Sequence, residues 1–153
     1  MTDVVARRTL QEPATDQAIE DLHDALDQLW VDAGFVPAMD QMAFTTAVIE
    51  AASNVVQHGV PAEGAELNLG VELTVSSERL RAVISEIGAA ALDPVPDLDG
   101  SAPSADADDD ALLEDFDESG RGLSMIRALV TTVTVERQGD TNVWVLSRDS
   151  TGS

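Results

Sequence analysis

From Asp16 onward the apolar positions fall three and four apart. Ile19, Leu22, Leu26, Leu29 and Ala33 form one stripe, and acidic side chains occupy the other face. That spacing predicts an amphipathic helix, with Gly34 as its stop. Pro37 suits the first turn of a second helix. Its buried stripe is expected to be Met39, Met42, Ala43, Ala47, Ala51 and Val55, and His58-Gly59 and Pro61 end it. The period then changes to two. Residues 65–76 alternate as Leu67, Leu69, Val71, Leu73 and Val75, and residues 79–86 follow after Ser77-Glu78. The two runs predict an antiparallel hairpin. Residues 3–10 read as a short strand whose alternation is interrupted by Arg7 and Arg8. A third helix begins near Gly122, and two final strands, 131–137 and 142–148, are joined through Gln138-Gly139-Asp140-Thr141. Gly139-Asp140 is a turn signal.

No repeat interrupts this order. Paired strands and helices that need a single sheet face to bury against predict a two-layer α/β (α+β) sandwich. Its sheet is mixed and mainly antiparallel, with the helices on one face. One domain over residues 1–153 is expected at this length.

Composition narrows the function. Eight Arg stand against 29 Asp and Glu, a net charge of −21. Nucleic-acid backbones and anionic membranes are therefore poor partners, whereas a basic protein surface is a suitable one. Ten acids and no Arg fall between Val95 and Glu118. This stretch, within an acidic Pro/Gly/Ser/Ala segment at 93–118, reads as a solvated, mobile lid. An acidic mimic of nucleic acid is the alternative. There is no cysteine, and the two histidines are too few for a transition-metal site. No apolar run has signal-peptide or membrane-spanning length, so a cytoplasmic protein is expected. His23, Trp30 and Trp144 read as structural.

Three groups of residues carry candidate chemistry. Glu50, Asn54 and His58 recur every four residues on the second helix, along one face. A carboxamide oxygen there can serve Mg²⁺, and a carboxylate can hold or deprotonate an attacking hydroxyl. A merely solvated polar face accounts for the same spacing. Glu86 and Gly88 follow a strand: the acid can accept from an adenine amino group while the glycine leaves room for the ring, or they are an ordinary strand end. Gly120-Arg121-Gly122-Leu123 opens the third helix. Free amides and an arginine at a helix start suit phosphate, and a turn that needs glycine only for shape has the same sequence.

Taken in order, Glu-x-x-x-Asn-x-x-x-His, an acid-x-Gly after a strand, a long lid and Gly-x-Gly-Leu opening a helix resemble the GHKL ATPase superfamily. Within it they resemble the anti-sigma-factor serine/threonine kinases, over residues 10–148. The resemblance implies the Bergerat-type sandwich with bound ATP and Mg²⁺. It implies Glu50 as general base, Asn54 as magnesium ligand and His58 as a supporting residue. Glu86 and Gly88 correspond to the adenine-recognising pair, Gly120, Arg121, Gly122 and Leu123 to the phosphate-binding motif, and Thr141 to a threonine near the adenine. The implied activity is phosphorylation of an anti-anti-sigma (STAS) partner by a protein that also binds a sigma factor and can form a homodimer. Glu86 in place of Asp, and Ala90 in place of a further Gly, motivate the alternative of a catalytically degenerate regulator that acts by protein binding alone.

Overall fold

A computed structural model describes residues 4–92 and 123–150. The elements are β1 (Val4–Pro13), α1 (Asp16–Asp32), α2 (Ala38–His58), β2 (Asn68–Ser76), β3 (Arg79–Ile87), α3 (Leu123–Leu129), β4 (Thr132–Gln138) and β5 (Thr141–Asp149). The acidic segment at 93–118 and the residues Gly120, Arg121 and Gly122 lie outside the described residues.

The five strands form one sheet in the order β1-β2-β3-β5-β4. All four pairings are antiparallel, so the expected mainly antiparallel sheet contains no parallel pair. β3 and β4 do run in the same direction, but β5 is inserted between them and pairs with both. The alternation of each strand decides its faces. Leu80, Ala82, Ile84 and Glu86 of β3 are buried, and their cross-strand neighbours Leu73, Val71, Leu69, Leu146, Trp144 and Asn142 are buried with them. This is the face the helices cover. The opposite face carries Arg81, Val83 and Ser85, which are exposed or half-buried.

α1 buries Ala18, Leu22, Leu26 and Leu29 and lies against β1 and β2. α2 packs between α1 and α3 and against β3. Its buried stripe differs at the start from the expected one. Met39 and Met42 are 72% and 67% exposed, whereas Phe44 and Val48 are fully buried. The aromatic and β-branched side chains have claimed the core, which rotates the two methionines outward. Trp30 meets Phe44 edge-on, with ring centroids 6.1 Å apart, and donates its Nε1–H to Thr45 Oγ1 at 2.9 Å.

Hydrogen bonds define two poles. At one, Arg148 donates to Asp40 and to the Leu129 carbonyl, tying the last turn of α3 to the first turn of α2, and Ser150 N–H reaches the Glu78 carbonyl. At the other, the chain leaving α2 meets the chain leaving β3: Ala90 N–H donates to Val60 O at 2.7 Å and Ala62 N–H to Gly88 O at 2.9 Å. Among the described residues no helix is long and apolar enough to cross a membrane.

Candidate functional site

The second pole gathers most of the described candidate residues. α2 delivers Asn54 and His58 in its last turns, β3 delivers Glu86 and Gly88, and the β4–β5 hairpin delivers Thr141. Glu50 lies one turn behind Asn54 on the same helix face. That face is graded along its length: Glu50 is half-buried, Asn54 is 6% exposed, and His58 at the helix end is exposed. The imidazole at a helix C-terminus sits at the negative end of the helix dipole. A buried carboxamide and a half-buried carboxylate are hard oxygen donors. Such a sparse set suits Mg²⁺, which keeps water and phosphate oxygens in its shell. Among the described residues no cluster of three or more His, Cys, Asp or Glu is assembled.

Gly88 has a positive φ of 74°, and a Cβ there would stand 2.5 Å from the Glu66 carbonyl oxygen. The backbone of the 60–66 loop thus requires glycine at this position. Ala89 N–H bonds to the Asp140 carbonyl in the tight Gly139-Asp140 turn, where Gly139 takes a φ of 61°. The Gly88–Ala90 turn is therefore clamped between the loop after α2 and the tip of the last hairpin.

Glu86 is almost wholly enclosed, at 1% exposure. Its Oε1 accepts from Trp144 Nε1 at 2.9 Å and its Oε2 from Asn142 Nδ2 at 3.3 Å. Thr141 pairs with Ile87, and strand alternation puts its side chain on the sheet face opposite Glu86 and Asn142. Its hydroxyl donates to Asp140 Oδ1 at 2.9 Å. Leu123, the first residue of α3, is buried in the core. The structure thus brings Asn54, His58, Glu86 and Gly88 to one pole and turns Thr141 to the other face of the sheet.

Sequence reasoning passed over Arg137 and Asn142 here, and it read Trp144 as structural without naming its partner. The signal was present in the alternation of β5. Asn142, Trp144 and Leu146 share the inward face, and both a buried indole N–H and a buried amide need acceptors. The only acid at an inward position of β3 is Glu86.

The comparisons agree with this architecture. The family model of the histidine kinase-like ATPase domain matches residues 12–147. No curated protein matches the sequence. Among solved structures, the RsbU and RsbW domains of Rv1364c from Mycobacterium tuberculosis superpose with a TM-score of 0.61 at 16% identity, over 94% of this chain and 32% of that one. The chain spans about a third of the length of that protein, and at this identity the likeness establishes a shared fold.

Proposed function

Because this chain belongs to the histidine kinase-like ATPase domain family, we propose that it binds ATP with Mg²⁺ and acts as an anti-sigma-factor type serine/threonine kinase. In this reading it is a single domain that binds a sigma factor and phosphorylates an anti-anti-sigma (STAS) partner. The carrying observation is that the chain leaving α2, just past Asn54 and His58, is hydrogen-bonded to the Gly88–Ala90 turn at one pole of the sandwich. Asn54 would hold Mg²⁺. The metal supplies charge neutralisation on the phosphate oxygens, as in phosphoryl transfer generally. Transfer forms a bond from the partner's hydroxyl oxygen to the γ-phosphorus and breaks the bond to the β,γ-bridging oxygen. Glu50 takes the hydroxyl proton and ADP leaves. The fold neighbour that carries an RsbW domain supports the partner class.

Calorimetric titration with Mg²⁺-ATP tests the proposal. The parent protein should bind, and Asn54→Ala should bind at least about tenfold more weakly, a loss of ~1.4 kcal/mol. Glu50→Ala should bind ATP and fail to phosphorylate a STAS protein. No binding to the parent at millimolar nucleotide ends the proposal.

A second reading, a regulator that acts by protein contact without catalysis, is favoured by one observation. The acid expected to face the base is bonded to Trp144 and Asn142. Partner capture that is indifferent to nucleotide would select this reading.

A further inference from the structure

The hydrogen bonds of Glu86 extend into a small network that runs from the buried carboxylate out to the exposed Arg137. Asn142 Nδ2 also donates to the Ala90 carbonyl at 2.9 Å, and Asn142 Oδ1 accepts from Arg137 Nη1 at 3.0 Å. The same arginine nitrogen reaches the Ala89 carbonyl at 2.7 Å. Strand register produces the network: Glu86 lies opposite Asn142, Asn142 opposite Arg137, and Ile84 opposite Trp144. All of these bonds run along the sheet or into the Gly88–Ala90 turn. The glutamate, one methylene longer than aspartate, spans from the end of β3 to the indole.

We propose that Trp144 and Asn142 are positioning residues that hold Glu86 as an internal anchor of the Gly88–Ala90 turn, so that nucleotide binding by this chain discriminates only weakly between 6-amino and 6-oxo purines. The selectivity half rests on the nucleotide-binding reading given above. A carboxylate that faces a base accepts from the amino group of adenine and opposes the oxo group of guanine, acceptor against acceptor. Sites built on such a polar group reject the wrong partner by ~10⁴–10⁵-fold, whereas shape alone gives roughly 10–200-fold. With both oxygens of Glu86 bonded to β5 and only 1% of the residue exposed, the carboxylate offers almost no surface to a base.

Two measurements on the full chain decide the matter. The first is calorimetric binding of Mg²⁺-ATP and Mg²⁺-GTP. Dissociation constants within roughly 200-fold of each other, the most that shape alone supplies, are expected, and a preference for ATP beyond that overturns the selectivity claim. The second is the Trp144 indole N–H resonance, told apart from that of Trp30 by Trp30→Phe. It should be protected from solvent exchange and should shift in Glu86→Gln. Free exchange, or no shift in that variant, overturns the anchor. If neither nucleotide binds, the nucleotide-binding reading fails and the selectivity claim with it, while the indole signal still decides the anchor.

Discussion

Gly88 is the residue with least freedom to change. Alanine there would meet both an unfavourable φ and the Glu66 carbonyl. Gly88→Ala should lower stability by at least about 1–3 kcal/mol in urea denaturation, with or without nucleotide. A near-neutral result would mean that the 60–66 loop yields easily. Glu12 offers a test of the opposite sign. Its carboxyl is pushed above the usual carboxylate range, first by a hydrogen bond with Asp21, then by burial and by that acid's charge. A raised carboxyl favours the folded state at low pH, and that contribution is lost as pH rises through the folded value. Glu12→Gln should therefore raise the melting temperature at pH 7, and the gain should shrink as the solution is acidified toward the ordinary carboxyl value. A gain that is constant with pH would point to a cause other than titration.

At the scale of elements, α2 separates what patterning reveals from what packing decides. Its extent was legible because Pro37 and His58-Gly59 punctuate it. The polar line Glu50, Asn54 and His58 was legible from its spacing of four. The start of its buried face was not, because Met39 and Met42 fit a helical stripe as well as Phe44 and Val48 do. Only the neighbouring α1 and β3 settle which set turns inward. Phe44→Ala should cost about 3–5 kcal/mol, against at most ~0.5 kcal/mol for Met42→Ser. Chemical denaturation distinguishes the two, and comparable losses would mean that Met42 is covered in solution. Strand period two gave β2 and β3 readily. It also held the pairing of Glu86 with Asn142 and Trp144, but only once β5 is known to lie beside β3. A crossover that skips one sheet position cannot be deduced from local pattern, and the polar part of the site depended on that register.

For the whole molecule, charge is the dominant long-range term. Twenty-nine acids face eight arginines, and several of those arginines are already engaged, as in Arg7–Glu72, Arg8–Asp32 and Arg148–Asp40. Mutual repulsion among the remaining carboxylates opposes compaction, and salt screens it over a Debye length of ~10 Å at 0.1 M and ~3 Å at 1 M. Raising NaCl from 0.1 to 1 M should lift the melting temperature by roughly 2–4 °C, a gain of about 1 kcal/mol. A fall would mean that the arginine pairs outweigh the repulsion.

The position of β5 between β3 and β4 also governs assembly during synthesis. Of the five strands it is the last to leave the ribosome, yet its slot is interior. Until it arrives, β3 presents an open ladder of amides and carbonyls, and β4 has no neighbour to join. At ~5–20 residues/s that wait lasts on the order of several seconds, and bare ladders of this kind recruit other chains. A truncation that removes Thr141–Asp149 would thus cut β4 off from the remaining β1-β2-β3 sheet, leaving a nascent polypeptide prone to aggregate.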